Sequence, residues 1–196
     1  SVNIVGEATN MLMAEKLFFS LQPEVVLIDL QFSGEEAVAL LQRFRKIDGG
    51  LGIVIITSCP DLRLFGLLEK NIPKGSKVLL KRSVSDLSII TFALSEAQRV
   101  ASDGSAMTWI SLHSAIHANS FITILNALTD IQIETLRLVA QGLSNSEIAK
   151  VRFVSEKSVE QMLARTAITL GVHYDRKQNQ RVRLTNSVYE LINGEK

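Results

Sequence analysis

Three polar residues in the first half of the chain each close a short apolar run: Asp29 after "VVLI", Thr57 after "IVII" and Lys81 after "VLL". A carboxylate, a hydroxyl and an ammonium on one edge can carry out phosphoryl transfer to the carboxylate. The aspartate attacks, the lysine offsets charge on the acyl phosphate, and the hydroxyl hydrogen-bonds a phosphoryl oxygen. Taken singly, each is an ordinary polar residue closing a strand. Three suitable types at three run ends are harder to dismiss. Other reactive types are less informative. His113 and His117 have the i, i+4 spacing of paired zinc ligands, but no acidic residue stands between them and no third ligand is near, so solvated or capping histidines are the better reading. Cys59 is the only cysteine and reads as a partly buried structural thiol, while Trp109 reads as a packing residue.

The elements that must place the trio are short and alternate in kind. "VNIVGEA" (2–8), "EVVLIDL" (24–30), "GIVIITS" (52–58) and "KVLLK" (77–81) are apolar and β-branched, as strands buried on both faces are. Between and after them run helical patterns: "MLMAEKLFFSL", "GEEAVALLQRFRKI", "DLRLFGLLEK" and "SVSDLSIITFALSEAQRV". Leu40, Leu41, Phe44 and Ile47 share one expected apolar face, and Ser83 with Asp86 resembles a capping box. Strict alternation predicts a doubly wound parallel sheet, in which ligands gather at the carboxyl ends of the strands.

The second half follows a different rule. In "LTDIQIETLRLVAQGLSNSEIAKVRFVSEKSVEQMLARTAITLGV" (128–172), three apolar-periodic runs each enter through a Ser or Thr. Thr129 with Gln132 and Ser144 with Glu147 form capping boxes, and Ser155 caps a third helix. Gly142 and Gly171 stand where helices end in a left-handed residue. Val159, Met162, Leu163, Thr166 and Leu170 make the inner stripe of the third helix. Lys157, Glu160, Gln161, Ala164 and Arg165 make the outer one. Two short helices joined by a tight turn, the second with polar side chains outward, suit a recognition helix in a major groove. A plain helical bundle with a solvated face would explain the caps and the periodicity as well.

Composition bounds the answer. The chain has 196 residues, 46% hydrophobic, and a formal net charge of +1. No apolar run reaches the roughly 18 residues of a membrane span, no secretory leader pattern is present, and one cysteine cannot form an internal disulfide. A cytoplasmic protein with no membrane partner fits. Charge is uneven: residues 150–183 hold eight basic side chains (Lys150, Arg152, Lys157, Arg165, Arg176, Lys177, Arg181, Arg183) against Glu156, Glu160 and Asp175. A local basic surface is a modest sign of nucleic-acid contact.

Over residues 1–98, "VVLIDLQFSG", "IVIITS" and "VLLK" resemble the receiver domain of two-component response regulators. The resemblance implies a flavodoxin-like fold with Asp29 as phosphoacceptor, Thr57 as switch hydroxyl and Lys81 as the lysine of the site. Receivers begin with a further strand ending in an acidic pair that holds Mg²⁺. Nothing before Ser1 supplies it, and residues 1–10 resemble the family's second strand. The expectation is a sheet lacking its first strand in a chain that lacks its true N-terminus, with exposed apolar edges. Mg²⁺ enters only with an upstream acidic pair, and no other cofactor is implied. "FSG" replaces the family's "MPG", and Val78 stands where the subfamily has an aromatic residue.

Residues 128–172 resemble the LuxR/NarL-type DNA-binding domain through "LT", "LRLVAQGLSNSEIA", "VSEKSVE" and "LGV". The resemblance places Glu160, Gln161 and Ala164 at base-reading positions. It places Lys157 and Arg165 at or near phosphate contacts, with Ser158 in the same DNA-facing set. "QRVRLTNSVYELI" matches a fourth helix that often mediates dimerisation, with Arg181 and Arg183 available to phosphates. Glu160 stands where Lys is common, and Ile168-Thr169 replaces a basic pair, so weaker non-specific binding is expected. The expected organisation is a receiver-like domain (1–98), a linker (99–127) and a helix-turn-helix domain (128–196). The expected function is a transcription regulator binding double-stranded operator DNA as a homodimer, with a sensor histidine kinase as implied partner and control that does not depend on phosphorylation. The competing reading is a protein-protein signalling module that uses the helices mainly as a dimer surface. No catalytic set supports an enzyme.

Overall fold

A computed structural model of the chain describes residues 2–30, 34–84, 86–110, 124–172 and 179–193. The chain divides into two compact units, Ser1–Thr57 with Leu67–Ala115, and Ser58–Gly66 with Ile116–Lys196. His113 and His117, Phe32 and Ser33 of "FSG", and residues 173–178 lie outside the described residues.

The first unit is built on a parallel sheet with strands in chain order, β1 (Val25–Asp29), β2 (Gly52–Thr57), β3 (Lys77–Leu80) and β4 (Thr108–Ile110). Ile53, Val54 and Ile55 of β2 are fully buried although they point alternately to opposite sides, so both faces of the sheet are covered. That is why these strands read as continuous apolar runs rather than as alternation. The helix α3 (Leu87–Arg99) sets Ala93 and Ala97 against Val54 and Leu79. Gly52 permits this approach, because a Cβ there would meet the backbone nitrogen of Gln98 at 2.9 Å. The helix α1 (Met11–Leu21) is capped by Asn10, which accepts from the Met13 N–H at 2.9 Å. Its Phe18 ring stacks on Phe44 of α2 (Gly34–Ile47), with centroids 4.0 Å apart.

Several expectations change. Residues 2–9 join no strand, and β1 is the outermost described strand, with Leu27 47% exposed. Ile47 is exposed, because the last turn of α2 passes beyond the core. Residues 61–70 form not one helix but two 3-10 turns, Leu62–Phe65 and Glu69–Asn71, interrupted by Gly66 at φ 76°. Asp86, not Ser83, caps α3, accepting from the Ser88 N–H at 2.5 Å. The strand β4 runs through a segment whose sequence carries no clear strand pattern, and Trp109 pairs in register with Val78.

The second unit holds α4 (Asp130–Ala140), α5 (Asn145–Arg152), α6 (Glu156–Thr169) and α7 (Gln180–Asn193). The turn Leu62–Phe65 belongs to this unit and packs on α4, with Leu62, Leu64 and Phe65 buried. Between these side chains Arg63 reaches the start of α4. It donates to the carbonyls of Leu125 and Leu128 at 3.2 Å each and to Asp130 Oδ1 at 2.7 Å. Asp61 grips the same guanidinium at 2.7 Å and raises its pKa, chiefly by hydrogen bonding. The core of the unit is Ile133, Leu136, Val139, Ile148, Val159, Leu184 and Val188, all at or below 2% exposure. This is the architecture the alternating and then purely helical patterns imply: a parallel receiver-like α/β sheet, then an all-α helix-turn-helix bundle.

Candidate functional site

The ladder registers bring the trio together in the first unit. Asp29 pairs with Ile56 and Thr57 with Leu80, so Asp29, Thr57 and Lys81 close three adjacent strands at the same edge. Lys81 Nζ donates to Asp29 Oδ2 at 2.6 Å, with both side chains little more than a third exposed. Thr57 is fully buried. Val78 is also fully buried, and its small side chain has no ring that could swing between positions. Among the described residues no group of three or more His, Cys, Asp or Glu could hold a metal ion. The described residues do not make a Mg²⁺ site.

In the second unit, local chemistry sets the helix starts. Gln132 N–H donates to Thr129 Oγ1 at 3.3 Å while Thr129 N–H donates to Gln132 Oε1 at 2.9 Å. Ser144 and Glu147 repeat the arrangement at 3.2 and 2.7 Å. These reciprocal bonds satisfy donors that a helix start leaves orphaned. Gly142 ends α4 at φ 89°, and Gly171 follows α6 at φ 69°. Phe153, in the turn between α5 and α6, takes φ 53° with its ring 95% exposed. A non-glycine left-handed residue costs on the order of 1 kcal/mol, offset here by its N–H bonding back into α5.

The Glu147 carboxylate is held below the usual glutamate range, first by the Ser144 backbone N–H and then by the Ser144 hydroxyl. Its contribution is therefore complete above the ordinary glutamate value and is lost as pH falls through the lowered one. Glu147→Gln keeps an acceptor but cannot titrate. The stability gap between wild type and this variant is expected to narrow on acidification from pH 7 to 3, followed by thermal melts. A gap that stays constant would show that the box carries no charge-dependent part.

The helix α6 buries Val159, Leu163, Thr166 and Ala167. It exposes Lys157, Ser158, Glu160, Gln161, Ala164, Arg165 and Ile168. Positions 157, 161, 164 and 168 follow helical spacing, so these residues form one continuous outer face. Ser155 caps the helix, accepting from the Ser158 N–H at 3.2 Å, and the two hydroxyls are 2.8 Å apart. Arg181 is placed differently from the outer face. It is half-buried on α7 and donates to Asn145 Oδ1, the first residue of α5, at 2.6 Å. Sequence reading counted Arg152 among the basic surface residues, whereas its side chain is 10% exposed and turned inward. The signal was present in the spacing: Arg152 lies one helical turn after the buried Ile148.

Residues 126–178 match the family described as bacterial regulatory proteins, luxR family. The transcriptional regulatory protein LiaR of Bacillus subtilis is 26% identical over 183 residues, spanning 90% of this chain and 82% of LiaR. The nitrate/nitrite response regulator NarL of Escherichia coli is 28% identical over 162 residues, 81% of this chain and 73% of NarL. Among solved structures, the response regulator RcsB of Salmonella typhimurium aligns over 95% of this chain and 86% of its own, at 23% identity and a TM-score of 0.45.

Proposed function

We propose that the chain is a response regulator of the LuxR/NarL type, as its similarity to that family and to LiaR and NarL suggests, and that it binds operator DNA as a dimer through the outer face of α6, under control of its receiver-like half. One observation carries the reading. A helix braced on its inner side by α4 and α5 offers a continuous exposed face with an amide, a carboxylate, a small residue and two cations. Gln161 can bond both N6 and N7 of adenine, and Ala164 leaves room for a thymine methyl group. Glu160 can accept from cytosine N4 while repelling nearby phosphates. Lys157 and Arg165 flank the face and suit phosphates, which position the protein without reading sequence.

Dimerisation through α7 fits its exposed Val182 and Tyr189, and the Tyr189 hydroxyl anchors that helix by donating to the Ala140 carbonyl at 3.2 Å. Among the described residues no helix is long and apolar enough to cross a membrane, which suits a protein that works on DNA in the cytoplasm. Control that does not require a phosphoryl group on Asp29 is supported by the ringless, fully buried Val78, which offers no ring to swing with a moving Thr57 hydroxyl. A sensor kinase remains the partner such an aspartate would serve.

Anisotropy of a labelled duplex against salt tests the proposal. Wild-type affinity is expected to fall steeply as salt rises, and acetyl phosphate with Mg²⁺ to leave it unchanged. Arg165→Ala should weaken every duplex alike and reduce the slope of log K against log salt by about 0.9. Weak, salt-insensitive binding by wild type would favour the protein-protein module, a reading that the exposed Ile168 on the same face supports (74% exposed).

A further inference from the structure

Arg152 ends α5 with a charged side chain that is only 10% exposed. Its Nη1 donates to Thr135 Oγ1 of α4 at 2.8 Å and lies 3.2 Å from Met162 Sδ of α6. Its Nε stands 3.4 Å from Glu134 Oε2, a carboxylate that is itself about half exposed. Thr135 is fully buried; its hydroxyl donates to the Ile131 carbonyl at 2.7 Å, the stronger acceptor, and stands 3.2 Å from Met162 Sδ, so its oxygen is left to accept from Arg152. One guanidinium thus bonds two helices from the end of a third.

Burying such a group gives little net stability, because loss of hydration offsets the attraction to its partners. What a planar fork with fixed donor directions supplies is geometry. The residue it touches on α6 is Met162, the neighbour of Gln161. A turn of α6 about its axis that moved Met162 away from Arg152 would carry Gln161 and Glu160 with it. A well-packed apolar stripe of Val159, Leu163 and Ala167 resists separation of the helices but resists such rotation less, since aliphatic contacts have no direction. We propose that Arg152 is a positioning residue: it fixes the axial rotation of α6 and thereby decides which base edges Gln161 and Glu160 reach. It acts through Met162 and Thr135 and touches no phosphate, despite lying in the most basic part of the sequence.

This inference rests on the DNA-binding reading, and its test separates the two. The probes are the duplex that wild type selects from random-sequence DNA and a scrambled duplex of the same composition. Arg152→Met, which keeps an unbranched side chain of fair length, should weaken binding to the selected duplex by about tenfold. Binding to the scrambled duplex and the salt slope should stay as in wild type. Gln161→Ala should then cost less in the Arg152→Met background than alone, since its contact is already misplaced. Equal weakening on both duplexes with a shallower slope would make Arg152 a phosphate contact and overturn the assignment. So would equal weakening that merely tracks the folded fraction seen by circular dichroism. Thr135→Val removes the oriented acceptor by another route and should reproduce the pattern if Arg152→Met fails to fold. If wild type selects no duplex at all, the DNA-binding reading itself fails, and this inference with it.

Discussion

Leu136→Ala is expected to destabilise the helix-turn-helix unit by about 2–5 kcal/mol. Leu136 is fully buried at the middle of α4, the helix in contact with α5, α6, α7 and the Leu62–Phe65 turn. Truncation removes transfer free energy and leaves a cavity that the surrounding helices and turn cannot fully collapse into. A small domain has about 5–15 kcal/mol in total, so the variant would sit near its unfolding midpoint at moderate temperature, and DNA binding would fall with it. Urea unfolding followed by far-ultraviolet circular dichroism measures the loss. Ile131→Ala on the same helix is the control, because Ile131 is 49% exposed and should cost much less. A Leu136→Ala loss no larger than that of Ile131→Ala would mean that α4 is not the core of the unit.

Gln161→Ala is expected to cost about 1–3 kcal/mol on the best operator and to relax the preference at one base pair. Gln161 lies on the exposed face of α6, one turn from Lys157 and one from Arg165, so in the proposed complex the flanking cations would hold the helix at the backbone and the amide would read. Truncation leaves those charges in place. Non-specific affinity and its salt slope should therefore survive, unlike the result for Arg165→Ala. The measurement is binding to a panel of duplexes in which each operator position is varied in turn. Equal affinity of the variant and wild type for every member would remove Gln161 from the reading set and leave Glu160 as the main candidate.

What the sequence showed clearly was local. The boxes Thr129–Gln132 and Ser144–Glu147, the cap at Ser155 and the left-handed Gly142 all stand where expected, because each depends on residues no more than a few positions apart. The Asp29–Lys81 pair was legible for a related reason: both residues end apolar runs, and parallel strands align such ends. What failed was whatever depends on distant partners. "VNIVGEA" has strand composition, yet a strand exists only where a ladder partner meets it. The strand β4 exists because Thr108–Ile110 lies beside β3, a neighbour that three residues cannot announce. Arg152 looked like surface charge because its acceptors, Thr135 and Met162, lie 17 and 10 positions away.

The turn that carries Arg63 has a consequence for how this protein can be divided. Nine residues, Ser58–Gly66, belong to the helix-turn-helix unit although they are encoded among the strands of the other. A fragment cut upstream of α4 would leave that helix without the cover of Leu62, Leu64 and Phe65, and the Leu125 and Leu128 carbonyls that lead into it without their guanidinium. The two halves are therefore not interchangeable cassettes. A chimera that grafts these helices onto a foreign regulator would have to bring Asp61–Phe65 with them, and recombination at a single crossover cannot do so.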